Sequence, residues 1–183
     1  MPNTTPVLFT TPMLGIAGWS NAGKTTLIEK LAEYFSQKGL RVATIKHTHH
    51  KFEIDKPESD TARHRRAGAC ETAIISGTRV AFIEEIEDRG EPSLREIASR
   101  MKPADIIFVE GYKSADIPKI EVRRQAVAAE RLLAATDSRV LAIAADYDID
   151  GQGTPVLDLD DIPGIAALIE TTFGPFRALR QRA

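Results

Sequence analysis

The chain has 183 residues, 43% hydrophobic and 27% charged, which suits one domain with a sizeable core. A formal net charge of −2 gives no electrostatic case for nucleic-acid binding, and no apolar segment approaches the roughly 20 residues that span a bilayer. The single cysteine, Cys70, rules out an internal disulfide, so a reducing cytoplasm is the expected compartment.

Residues 1–12, rich in Thr and Pro, lack the basic start and apolar run of a secretory signal and read as a flexible tail. The domain is expected over 13–175, with a basic tail at 176–183 carrying Arg177, Arg180 and Arg182. Met13-Leu14-Gly15-Ile16-Ala17 reads as a buried strand. Gly18-Trp19-Ser20-Asn21-Ala22-Gly23-Lys24-Thr25 follows and matches G-x-x-x-x-G-K-[ST], the loop that wraps nucleotide phosphates. Its glycines permit close backbone approach. Its successive N–H groups form an anion-binding concavity at a helix start. Lys24 can neutralise the β/γ-phosphates, Thr25 can ligate Mg²⁺, and Thr26 extends the loop. Leu27, Ile28, Leu31, Tyr34 and Phe35 then recur at helical spacing, with Gly39 as a stop.

Residues 40–45 read as a second strand, followed by a polar stretch to Ser59 and a short helix from Asp60 closed by Gly68. Residues 72–75 and 80–83 flank Gly77-Thr78 as an antiparallel hairpin, expected on the edge of the sheet. Ser93 can cap a helix through Leu94, Ile97, Ala98 and Met101. Ile106-Ile107-Phe108-Val109 is apolar throughout, as in a strand buried on both faces, and residues 140–144 form another. A last helix runs from about Asp161 to Phe173. Short β-branched runs alternating with helices predict an α/β fold with a mainly parallel sheet and a peripheral antiparallel hairpin.

Ligands of open α/β sheets bind beyond the carboxyl ends of the strands, which sorts the polar residues. Glu110 ends its strand on the same rim as the phosphate loop, placed to hold Mg²⁺ or to position a water; an ordinary charged strand end is the competing account. Asp55 lies in a loop that can close over a terminal phosphate and is a second candidate metal ligand. His47, His49 and His50 end the second strand; with no Cys near, they fit an anionic ligand better than a structural zinc. Arg63 and Arg66 share a helix face and can grip an anion, although a solvated charged face is the usual outcome. Lys113, Lys119 and Arg123 add donors to this rim. Asp146 ends the strand at 140–145, where a carboxylate can accept from N1 and N2 of guanine, but no Asn-Lys-x-Asp signature surrounds it.

Taken in order, the phosphate loop with Trp19, the run Ile45-Lys46-His47-Thr48-His49-His50, Asp55-Lys56-Pro57, the helix from Asp60 to Gly68, Val109-Glu110-Gly111-Tyr112-Lys113, and Pro118-Lys119-Ile120-Glu121-Val122 resemble the molybdopterin-guanine dinucleotide biosynthesis protein B (MobB) family. The resemblance covers roughly residues 13–170. It implies a P-loop NTPase three-layer fold, GTP and Mg²⁺ as ligands, weak GTP hydrolysis and a homodimer. It also implies a supporting role in attaching GMP to molybdopterin, with the guanylyltransferase MobA as partner and the His block facing the ligand groove. Gly23, Lys24 and Thr25 would hold phosphate and Mg²⁺; Asp55 and Glu110 would serve metal and water. The chain departs from the family pattern at Glu58-Ser59-Asp60-Thr61, which lacks the Gly and Lys of Gly-Lys-Asp-Ser. A nucleotide-gated metallochaperone, suggested by the clustered histidines, and a non-enzymatic GTP-dependent adaptor are the other functional classes. A small-molecule kinase is compatible with the phosphate loop alone.

Overall fold

The computed structural model describes residues 11–48, 52–86, 90–127 and 131–176, arranged as two compact units. The first comprises Met1–His47 with Lys102–Ala183, and the second is Thr48–Met101.

The first unit is built on six parallel strands in the order β2-β5-β1-β6-β7-β8. They are β1 (Met13–Gly18), β2 (Val42–Lys46), β5 (Ile106–Glu110), β6 (Lys119–Arg123), β7 (Val140–Ala145) and β8 (Val156–Asp158). Central β1 is flanked by β5 on one side and β6 on the other, with Ile16 level with both Glu110 and Ile120. Period-two alternation sends Leu14, Ile16, Ile106, Phe108, Ile120 and Val122 into one core. Against it pack α1 (Lys24–Gln37), through Leu27, Ile28, Leu31 and Phe35, and α4 (Ile162–Phe173), through Ile165, Ala166 and Ile169. The 3.6-residue period puts those apolar positions on one stripe of each helix. Asp161 caps α4 by accepting from the Gly164 amide at 3.0 Å.

Strand β6 escapes the sequence reading, which takes Lys119 and Arg123 for rim donors. Instead Lys119, Glu121 and Arg123 are buried on the sheet face opposite Ile120 and Val122. Each is paired, as burial of charge requires. Lys119 Nζ donates to the carbonyls of Ala115 (2.5 Å) and Ile117 (3.2 Å) and lies 3.1 Å from Asp137 Oδ2. Arg123 donates to Glu121 (3.3 Å) and to the Arg131 carbonyl (2.9 Å), while Glu121 accepts from the Ala134 amide. Lys119 stands at the amino end of β6, away from the loop rim, so it is a structural cation clamping the 112–117 and 131–139 connections to the sheet.

The second unit contains α2 (Asp60–Arg66), the strands β3 (Glu71–Ile75) and β4 (Val80–Glu84), and α3 (Leu94–Arg100). The hairpin forms as expected but not on the edge of the parallel sheet: β3 and β4 make a separate two-stranded sheet, with β3 packed on α2. A ribbon closed by the short 76–79 connection can pair internally without offering its outer edges to another sheet. Ser59 caps α2, and Ser93 with Glu96 forms a reciprocal capping box on α3.

Candidate nucleotide site

The residues between β1 and α1 take the unusual backbone that the glycine pattern predicts. Gly18 has φ +150°, and a Cβ there would stand 2.6 Å from the Val122 carbonyl oxygen. Only glycine lets the loop pass so close to β6. Asn21 (φ +60°) and Gly23 (φ +91°) also take positive φ, and Gly23 serves as the N-cap of α1 in the left-handed region. The free amides at that helix start form the anion-binding end of the dipole. Lys24 Nζ donates to the Trp19 carbonyl at 2.6 Å, folding its charge back over the loop. Burial holds the Lys24 ammonium below its ordinary value; Glu110 opposes this, and repulsion from Lys113 and Lys46 reinforces it.

Glu110, at the carboxyl end of β5, accepts from Thr25 Oγ1 at 3.1 Å and lies 3.2 Å from Lys46 Nζ. The two residues chosen from sequence as metal candidates on this rim therefore touch. A carboxylate and a hydroxyl are the hard oxygen donors that Mg²⁺ takes alongside water and phosphate oxygens, so the donor set fits that ion. After Glu110 the chain turns sharply through Gly111 (φ +82°) and Tyr112 (φ +47°). That turn sets the Lys113 ammonium 3.9 Å from the centre of the Trp19 ring, a cation–π contact across the loop. It also places Tyr112 beside His47, ring centres 4.1 Å apart. His47 donates its backbone amide to the Glu110 carbonyl.

Asp146, just past β7, accepts from the Gln125 amide at 2.8 Å. It lines an open cleft of about 630 Å³ with Tyr147, Asp148, Asp150, Leu157 and Asp158 at the carboxyl ends of β7 and β8. Thus Gly18 to Thr26, Glu110, Lys113, His47 and Asp146 share one rim of the first unit.

Asp55 and Arg63 belong to the second unit. Asp55 Oδ2 accepts from Ser59, Thr61 and Arg65, and Arg65 Nη2 lies 2.9 Å from Oδ1. Arg65, followed by Thr61, holds this carboxyl well below the usual carboxylate range. Arg63 is exposed, 3.7 Å from Asp60. The helix arginine with structural weight is Arg65, which also reaches Glu53 and Glu85. Sequence reasoning passed over it because only tertiary contact separates Arg65 from its neighbours. His49 and His50 lie outside the described residues.

A parallel sheet in this strand order, with a glycine-rich loop leading from its central strand into α1, defines a phosphate-loop NTPase fold. The chain belongs to the molybdopterin guanine dinucleotide synthesis protein B (MobB) family, whose model matches residues 13–146. It is 38% identical over 160 residues to the molybdopterin-guanine dinucleotide biosynthesis adapter protein of Escherichia coli, covering 86% of this chain and 91% of that one. The Haemophilus influenzae protein of the same name is 36% identical, over 92% of this chain and 93% of its own. The crystal structure of Bacillus subtilis MobB superposes with a TM-score of 0.68 at 26% identity, over 87% of this chain and 96% of that one. Among the described residues no helix is long and apolar enough to cross a membrane.

Proposed function

We propose that the chain is a cytoplasmic GTP-binding protein with weak Mg²⁺-dependent GTPase activity that assists attachment of GMP to molybdopterin, with the guanylyltransferase MobA as partner. The observation that carries this reading is the Thr25–Glu110 hydrogen bond at the mouth of the loop, beside Lys24. In the reading, Lys24 leaves the Trp19 carbonyl to meet the β/γ-phosphates, and the loop amides hold the phosphate oxygens. Thr25 and Glu110 would hold Mg²⁺, which supplies charge neutralisation on the phosphates when bound. Glu110 would orient the attacking water. Asp146 would accept from the guanine edge, with the cleft beyond β7 and β8 for the base. His47 and Lys113 would line an anion or pterin groove on this rim. Within the second unit, the Asp55 oxygens that a metal would need are engaged by Arg65, Thr61 and Ser59.

Slow turnover follows from the small number of groups that could stabilise the transferring charge. The relatives are adapter proteins by name, which favours a role in which nucleotide binding matters more than hydrolysis. A reconstituted reaction of molybdopterin, GTP, Mg²⁺ and the guanylyltransferase tests it. Adding this chain should raise the yield of guanine dinucleotide several-fold, whereas an unchanged yield at equimolar protein removes the role.

The proposed homodimer is supported by one face of the hairpin, where Ala73 pairs with Phe82 and Ile75 with Val80. Ile75 and Phe82 are 83% and 67% exposed, an apolar face that a second copy would cover. Sedimentation equilibrium reads this directly, and a one-chain mass at micromolar concentration ends it.

A further inference from the structure

A second arginine, Arg124, directly follows β6. Arg123 is buried on the sheet face opposite Ile120 and Val122, and Arg124, one residue on, faces the phosphate loop. A Cβ on Gly23 would meet Arg124 Nε at 3.0 Å and Cζ at 3.3 Å, so the guanidinium lies directly against the loop's last glycine. Arg124 and Gly23 also line a small cleft with Thr26, Lys30, Leu159 and Asp160.

Three other arginines among the described residues are engaged by their neighbours. Arg65 is tied to Asp55 and Glu85, Arg123 to Glu121 and the Arg131 carbonyl, and Arg139 to Asp137 and Asp116. Arg124 is different. Its Nε is buried with no hydrogen-bond partner among the described residues. The carboxylate oxygen facing it, Asp146 Oδ2, is 4.0 Å away, beyond hydrogen-bond length. Lys30 answers Asp160 at 2.6 Å, so that carboxylate is already neutralised. The Arg124 side chain is 41% exposed, with its charge open to the loop rim.

Topology says which part of a nucleotide it would meet. Strands β5 and β6 flank β1 on opposite sides, so Glu110 and Arg124 stand on opposite sides of the loop. Metal and terminal-phosphate groups gather on the Glu110 side with Thr25 and Lys46. The Arg124 side leads through Asp146 to the cleft beyond β7 and β8. A phosphate chain laid along the loop therefore has its sugar end at Arg124.

We propose that Arg124 is a nucleotide-binding residue that grips the sugar-linked phosphate of a nucleoside di- or triphosphate, positioned by Gly23 below and Asp146 behind. This rests on the reading of the loop as a nucleotide site. A guanidinium fork matches phosphate oxygens in a way that a lysine point charge does not. Asp146 then has a second task, aiming the fork, besides any contact with the base.

The test is calorimetric titration of wild type, Arg124→Ala and Arg124→Lys with GTP and with GDP, each with Mg²⁺. Arg124→Ala should weaken GTP and GDP by the same factor, roughly ten- to hundredfold, and Arg124→Lys should recover part of it. Because Arg124 Nε has no hydrogen-bond partner among the described residues and meets Asp146 only at 4.0 Å, the unliganded melting temperature should stay close to the wild-type value, which a merely structural residue would not allow. Binding within twofold of wild type in Arg124→Ala overturns the proposal, as does a loss confined to GTP, which would move the contact to the terminal phosphate. If Arg124→Ala does not fold, Arg124→Gln carries the same comparison. Wild-type protein that binds neither nucleotide overturns the nucleotide site itself, an outcome distinct from loss of Arg124's role alone.

Discussion

Replacing Lys24 with alanine is expected to lower GTP affinity at least a hundredfold while leaving the fold intact. In the free protein the ammonium has one short hydrogen bond, to the Trp19 carbonyl within its own loop, and none to the core. Its removal therefore costs little structure, well under 1 kcal/mol on the usual scale for surface changes. A triphosphate changes the balance. It offers several anionic oxygens to a partly buried cation whose charged form is disfavoured by burial before any other influence. Charge-assisted hydrogen bonds of this kind contribute about 1.5–3 kcal/mol each, and two of them amount to more than a hundredfold in binding. Calorimetric titration of the variant, with its melting temperature as the control, reads both parts. Undiminished GTP affinity in a folded Lys24→Ala protein would sink the assignment of the loop.

The largest effect on stability is expected at a residue far from that rim. Asp137→Ala should destabilise the protein by about 3–5 kcal/mol, because it strands the fully buried Lys119 ammonium without its counter-charge. Two backbone carbonyls remain to Lys119, but neutral acceptors do not compensate a buried charge. The pair also carries a pH signature. Hydrogen bonds from Arg139, and after burial's opposing influence those from the Arg139 amide and Lys119, pull the Asp137 carboxyl down to about 2 from 3.8. A depressed carboxylate stabilises the fold fully above its unfolded value, and that contribution is lost as pH falls through the folded one. The pH-dependent part of the difference between wild type and Asp137→Ala should thus be constant above pH 4 and shrink toward pH 2. Urea unfolding across that range measures it, and a difference that grows on acidification would contradict the pairing.

The parallel sheet and the glycine-rich loop were legible in the sequence to different depths. Gly18, Gly23 and Lys24 were legible because a phosphate loop imposes residue types at fixed spacing, and Glu110 followed from a fully apolar strand with a carboxylate at its end. Strand β6 was not legible. Its inward face alternates Lys119, Glu121 and Arg123, so a buried strand carries the composition of a surface one, and only the tertiary pairings reveal the burial. The block from Pro118 to Val122, one of those that carry the family resemblance, thus holds a structural clamp at Lys119. The hairpin was recognised from its turn, but strand pairing beyond a hairpin is a non-local property that local pattern cannot assign. Asp55 illustrates the same limit: spacing placed it in a loop, whereas the contact with Arg65 that governs its charge runs between residues ten apart whose side chains meet only in the folded unit. Arg124 went unread beside Arg123 because two adjacent arginines on a strand end point to opposite environments.

The loop between β1 and α1 is proposed to take a guanine nucleotide. Trp19, the single tryptophan, sits inside that loop, 46% exposed and capped by Lys113. Its fluorescence, followed while the protein is titrated with GTP and with ATP in the presence of Mg²⁺ and checked by competition, is the most direct reporter. The account predicts a saturable change with GTP and at least tenfold weaker competition by ATP. Equal affinity for the two, or tighter binding of ATP, would contradict the guanine assignment, and no binding of either would remove the nucleotide site altogether.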